Sequence, residues 1–291
     1  MTQRLNITIF VLLLGLACQS RMGGQTSPLP PAQPKVFIYL TASNRDGSPA
    51  VPMQSDLSVE IDKQPAQIAS LRSAKEDPLL FALLIDGSRS EGRNAESIKN
   101  AARTIFQSLS TGGNKGYLGV FDDAVYLSRA PLQSADAEKF LSGIKFGGPT
   151  ALYDAIGYTS TQSLNRSGAP QFPRRMIILL SDGDDNQSHL QPAKAEEAAN
   201  EQGVAIFSLT TESDATKGGH SLRELGNTTG GKVISARKLE DGVAALLSAI
   251  DEQWAVELAI PKNLDKNSHS LAIEDSQKGV RISAPVHILL P

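Results

Sequence analysis

The sequence predicts an α/β protein: a doubly wound, mostly parallel sheet, joined to a small β-sandwich built from strands at the N- and C-terminal ends of the chain. Three observations carry this. Residues 79–85 form an unbroken apolar run ending at Asp86, as expected of a strand buried on both faces. From there to residue 252, short apolar runs alternate with amphipathic stretches at strand and helix lengths. On either side, residues 36–71 and 254–290 hold only short β-like runs, too few in each segment to be stable alone.

Residues 1–18 read as an export signal. Arg4 supplies positive charge, and residues 7–17 form an apolar core of 11 residues, against the roughly 20 that span a bilayer. Cys18 is the only cysteine, so no intrachain disulfide or cysteine-rich zinc site is possible. It follows Gly-Leu-Ala, where a bacterial lipoprotein signal carries its lipidated cysteine, although Gly15 stands where Leu is usual. Ordinary cleavage nearby, discarding Cys18, is the other reading. The expected location is outside the cytoplasm: periplasmic, lipid-anchored at the outer membrane, or extracellular. The membrane would be met only through the signal or lipid.

Residues 19–35 are rich in Pro, Gly, Ser and Gln, the composition of an extended tether. In residues 36–77, strands are expected at 36–40 and 57–61. Asp62-Lys63-Gln64 reads as a hairpin tip leading into 67–71. The α/β region, residues 78–253, continues with a helix carrying Ile98, Ala101, Ala102, Ile105, Phe106 and Leu109 on one side. Further strands are expected at 115–121, 124–127, 176–180, 204–209 and 232–234. Helices are expected at 135–144, 150–164, 191–202, 222–226 (short) and 239–252. Four β runs in residues 254–291 should pair with residues 36–77, so that the α/β domain is an insertion between them.

With 28 Lys and Arg against 31 Asp and Glu, the net charge of −3 argues against a nucleic-acid partner, which demands a basic face. The one tight basic pair, Arg174-Arg175, reads as a solvated strand start. The four His show no metal-ligand spacing and are expected on loops and strands.

Open α/β sheets bind ligands at the carboxyl ends of their strands, and three oxygen-rich segments fall there. Asp86-Gly87-Ser88-Arg89-Ser90 follows the first buried strand, and Ser181-Asp182-Gly183-Asp184-Asp185 follows the strand at 176–180. Gly147-Gly148-Pro149-Thr150 opens a helix between them. Alternate residues of an extended turn point the same way, so Asp86, Ser88 and Ser90 can aim three oxygens at one point. Thr150 adds a hydroxyl and Asp182 a second carboxylate. Such hard oxygen donors suit Mg²⁺, Mn²⁺ or Ca²⁺. Two carboxylates neutralise a dication without saturating it, leaving a position for an outside oxygen. Helix capping by Ser90 and Thr150 is the alternative use of these hydroxyls. Asp122, Asp123, Asp154, Asp184 and Asp185 read as turn residues, caps or groups that touch the water around the ion.

This pattern resembles the von Willebrand factor A family, whose metal-ion-dependent adhesion site is built from D-x-S-x-S, a separate Thr and a separate Asp. The likeness covers about residues 79–252, and Asp86, Ser88, Ser90, Thr150 and Asp182 fill the five positions in order. The flanking β segments look like those of the related proteins of Acidobacteria, which usually read D-T-S-G-S-M where this chain reads D-G-S-R-S-E. Arg89 and Glu91 thereby bring charges beside the site. The resemblance implies a Rossmann-like fold, a Mg²⁺ (or Mn²⁺ or Ca²⁺) cofactor and non-enzymatic adhesion to a protein. The partner would offer an Asp or Glu carboxylate, with Arg89 and Asn186 supplying specificity. A Mg²⁺-dependent phosphatase is the enzymatic alternative, but that chemistry needs D-x-D, and Ser88 stands at its second Asp. A structural module with a stiffening metal is the other.

Overall fold

The computed structural model describes residues 35–290, which belong to one compact unit. The export signal, Cys18 and all of the tether but Lys35 lie outside the described residues. In chain order the elements are β1 (Lys35–Ser43), β2 (Leu57–Ile61), β3 (Gln64–Pro65), β4 (Gln67–Ser73), β5 (Leu79–Asp86), α1 (Ala95–Leu109), β6 (Lys115–Phe121), β7 (Val125–Leu127), α2 (Ser134–Gly143) and α3 (Leu152–Gln162). There follow β8 (Arg174–Leu180), α4 (Pro192–Gln202), β9 (Val204–Thr210), α5 (Lys217–Thr229), β10 (Val233–Ser235), α6 (Leu239–Asp251), β11 (Trp254–Ala259), β12 (Ser268–Asp275), β13 (Arg281–Ser283) and β14 (His287–Leu289). None of these helices is long and apolar enough to cross a membrane.

The central sheet has the order β10-β9-β8-β5-β6-β7, parallel except for the β6–β7 hairpin. All eight residues of β5 are buried because the period-2 alternation serves two cores. Leu79, Phe81, Leu83 and Ile85 pack with α1, α2 and α6. Leu80, Ala82 and Leu84 pack with α3, α4 and α5. The apolar stripe read for α1 is buried at all six positions. After β5 the chain winds outward to β6 and β7, then returns to β8 and winds the other way. The switch point therefore lies between β5 and β8, where ligand crevices form.

The remaining strands make two four-stranded antiparallel sheets, β13-β1-β11-β4 and β14-β12-β2-β3. Each combines strands from both ends of the chain, and one core joins them: Val36, Ile38 and Leu40 meet Val59, Ile61, Val256, Leu258, Leu271 and Ile288. This sandwich docks near the C-terminus of α5, where Ala284 and Val286 amides donate to the carbonyls of Asn227 and Thr228 (both 3.0 Å).

Four local expectations need correction. Asp62 and Lys63 do form a two-residue tip, with φ of 50° and 63°, but only Gln64–Pro65 returns along β2. Pro65 removes a donor from that edge, and the next strand, β4, crosses to pair with β11. The short helix expected at 222–226 is the 13-residue α5. Its first turn contains Gly218 and Gly219, poor helix formers that hide it from a pattern search; the Thr216 hydroxyl caps it by accepting from the Gly219 amide (3.0 Å). This helix also places His220 off the loops and strands expected for it. Arg174 and Arg175 are not solvated. They lie inside β8 at 2% and 5% exposure, because nearby carbonyl and amide oxygens receive their guanidiniums. Arg174 donates to Gln253 Oε1 (2.8 Å) and to the Ile250 carbonyl, and Arg175 to the carbonyls of Ala169 (2.6 Å) and Pro173 (3.3 Å).

Candidate functional site

The β5–β8 register sets Ile85 beside Leu180, so Asp86 and Ser181 leave the sheet side by side at the switch point. Asp86 is completely buried. One carboxylate oxygen accepts from the Ser88 amide (2.9 Å), the other from the Ser181 hydroxyl (2.7 Å). Ser181 in turn accepts from the Gly183 amide (3.0 Å), so it ties both loops together. The hydroxyls of Ser88 and Ser90 lie 2.9 Å apart, as alternate residues of one turn should.

The loop ending in Thr150 is bound to the same turn through its backbone. The Gly147 amide donates to Gly87 O (2.7 Å), and the Arg89 amide to Gly148 O (3.2 Å). The loop after β8 closes the circle: Asn186 accepts from the Thr150 amide with its side-chain oxygen (3.0 Å) and donates its own amide to Thr150 O (3.1 Å). Gly183 makes this turn feasible. Its φ is +79°, and an added Cβ would sit 2.4 Å from the Gly218 carbonyl on α5.

Neither candidate hydroxyl is spent on capping. The cap of α1 is Asn94 and that of α3 is Ala151. The first amides of α3 are received by Asp185 (from Leu152, 2.9 Å) and by the Ser188 hydroxyl (from Tyr153, 3.0 Å). Asp182 accepts from the Asp184 amide (3.0 Å). Asp154 accepts from the amides of His189 (3.1 Å) and Leu190 (2.7 Å).

Charge at the site is unbalanced. Burial, with Asp182 nearby, pushes Asp86 up to about 6 despite the bonds it accepts. Glu91, at 5% exposure, is pushed up to about 7 by burial and by the surrounding carboxylates Asp182, Asp86 and Glu212. Among the described residues no Lys, Arg or His forms an ion pair with Asp86, Glu91 or Asp182. No three His, Cys, Asp or Glu side chains there come together as a metal cluster; a cation would rely on hydroxyls as well as carboxylates. Arg89 is exposed and forms no ion pair among the described residues, whereas Asn186 has its amide oxygen committed to Thr150.

The structure thus gathers Asp86, Ser88 and Ser90 on one turn and laces to it the loops bearing Thr150 and Asp182. Sequence reasoning missed the bridging of Ser181 and the burial of Glu91. Ser181 could have been found only from the β5–β8 register. For Glu91 the apolar Met usual at that position was the available signal.

A family model described as von Willebrand factor type A domain matches residues 81–248. The chain also resembles several solved structures at low identity. Proximal thread matrix protein 1 from the mussel byssus is 16% identical at a TM-score of 0.50, over 64% of this chain and 49% of that one, so the chain spans about half the mussel protein. A von Willebrand factor type A protein from Catenulispora acidiphila is 12% identical at a TM-score of 0.48, over 89% of this chain and 74% of that one. An aerotolerance-related membrane protein from Bacteroides fragilis is 16% identical at 0.48, over 60% and 99%. No curated protein matches. Matched over more than half its length, and carrying the sheet order and switch-point turn described above, the chain belongs to the von Willebrand factor type A domain family.

Proposed function

We propose that this chain is a protein-interaction module of the adhesion type, in which a divalent cation at the carboxyl edge of the sheet bridges to a carboxylate of the partner. Asp86, Ser88, Ser90, Thr150 and Asp182 would hold the ion, and their oxygen chemistry suits Mg²⁺, Mn²⁺ or Ca²⁺. One observation carries this reading: Asp86 and Glu91 are buried with no basic partner among the described residues, an arrangement that costs several kcal/mol unless positive charge is supplied. A dication supplies it, and when held largely by neutral hydroxyls keeps enough charge to attract an outside Asp or Glu. Arg89, exposed beside the turn, would meet the partner's acidic group, and Asn186 would offer its remaining amide nitrogen.

The loops are already joined by backbone hydrogen bonds, which leaves little for a metal to stiffen and favours partner binding over a purely structural role. Calorimetric titration with Mg²⁺ and Mn²⁺ tests the site. Saturable binding should vanish in Ser88→Ala/Ser90→Ala, and unchanged binding in that variant would sink the reading. Pull-down from membrane extract should recover a partner with Mg²⁺ and lose it with EDTA. Export, with lipid at Cys18, belongs to the same proposal. Mass spectrometry of the mature protein should show an N-terminus at residue 18 or beyond; an intact Met1 would end that part.

A further inference from the structure

At the opposite, amino edge of the sheet, a groove of about 400 Å³ runs between the sandwich and the start of β8. Val36, Phe37, Pro173 and Leu289 give it apolar walls, with Arg166 and Arg175 among them. It shares Phe37, Arg166 and Pro173 with an inner cavity of about 20 Å³ lined by Asn200, room for about one water-sized group.

The polar groups here are short of partners. Arg175 is 5% exposed and its Nε has no hydrogen-bond acceptor; Asn200 is 2% exposed and neither its side-chain oxygen nor its nitrogen is bonded. Arg166 donates to the Leu289 carbonyl (3.1 Å). Among the described residues no carboxylate pairs with either arginine, and no Asp or Glu lines groove or cavity. Lys35, at the rim, is paired with Glu257 (3.2 Å). Burial, with the Arg166 guanidinium beside it, draws Arg175 down to about 10, the mark of a cation held without an anion.

We propose that this groove binds a small amphiphilic oxyanion, a carboxylate or phosphate monoester with an apolar tail. The head would sit against the Arg166 guanidinium, whose fork matches planar oxyanions, and the open Nε of Arg175, whose terminal nitrogens are held by the Pro173 and Ala169 carbonyls; the tail would lie against Phe37, Pro173 and Leu289. A groove of this size and mixed lining is that of a small-ligand pocket.

The test is calorimetry on the full chain at low salt, with octanoate, octyl phosphate and 1-octanol as probes. One or both anions should bind at a single site, and 1-octanol should not. Arg166→Gln, at a half-buried position, should weaken binding at least about tenfold, and Arg175→Gln similarly if it folds. Arg166→Lys, which keeps the charge but loses the fork, should fall between. Amide shifts on titration should concentrate at residues 35–37, 166–175 and 289. No saturable binding at millimolar anion, equal binding of 1-octanol, or undiminished binding by Arg166→Gln would each overturn the proposal.

Discussion

Strand β8 runs between charges of opposite sign: the buried Arg174 and Arg175 where it starts, and the half-buried Asp182, next to the buried Asp86 at the end of β5, where it stops. Among the described residues neither end has an ion-pair partner. The amino end meets its charge with neutral acceptors, above all the Ile250 carbonyl and Gln253 on Arg174. These acceptors belong to the end of α6 and the residues after it, so Arg174 pins that helix to the sheet. The carboxyl end meets its charge with neutral donors, an amide and a hydroxyl on Asp86. Those donors only orient the carboxylate. The lone pairs of Ser88, Ser90 and Thr150 remain available, and charge stays uncompensated. One end is a structural joint and the other a site held at a cost.

The sharpest way to break this comparison is to remove the joint. Arg174→Met should cost about 2–3 kcal/mol in urea unfolding, because it strands the buried Gln253 side-chain oxygen and takes from the Ile250 carbonyl the guanidinium that holds the end of α6. A loss below about 1 kcal/mol would mean that the acceptors rebond elsewhere. Gly183→Ala attacks the opposite end: a positive φ and the Gly218 carbonyl at 2.4 Å from the new Cβ should cost about 2–3 kcal/mol and lower Mg²⁺ affinity with it. Asp86→Asn should move the other way. With EDTA present, removing the buried charge should raise stability by about 1–2 kcal/mol, since Ser181 can rotate to accept from the new amide. Stabilisation by Mg²⁺ should disappear in the same variant. If Asp86→Asn destabilises the metal-free protein, the carboxylate is a structural group and the contrast fails.

The smallest effect comes from a buried ion that does have partners. His269, in the sandwich, lies against Asp62 (2.7 Å) and Asp265 (3.2 Å), and the hydrogen bond to Asp62 raises its pKa above the usual imidazole value. A raised folded pKa adds stability that is fully present below the unfolded value of about 6.5 and is lost as pH rises through the folded one. The Tm difference between wild type and His269→Gln should therefore be positive at pH 6 and shrink by pH 8.5. Asp86 and Glu91 titrate in both proteins and cancel from that difference. A constant gap would remove the imidazole's charge from the account.

Much of the molecule could be read from its sequence because the signals were local. The apolar run of β5 and the stripe of α1 gave the α/β layers, and the turn from Asp86 to Ser90 announced itself by spacing alone. What escaped depends on pairings distant in sequence. The role of Ser181 needs the β5–β8 register. The burial of Arg174 needs Ile250 and Gln253, more than seventy positions away. That β4 pairs with β11 rather than with β2 follows from the sandwich as a whole. The commitment of Asn186 to Thr150 was hidden for the same reason, since a loop residue gives no hint of which neighbouring loop it holds.

Residue Ser73, at the end of β4, lies directly across the ladder from Trp254, at the start of β11. The chain therefore leaves the sandwich and re-enters it one strand spacing apart, about 5 Å. A tight turn spans that gap, so the intervening stretch is a cassette: the sandwich's pairing places no demand on its length or content beyond the contact surface beneath it. Insertions, exchanges or duplications of the α/β layer could proceed in such an architecture while the register of the flanking sheets stayed fixed, which makes the sandwich a mount that can outlast the head it presents.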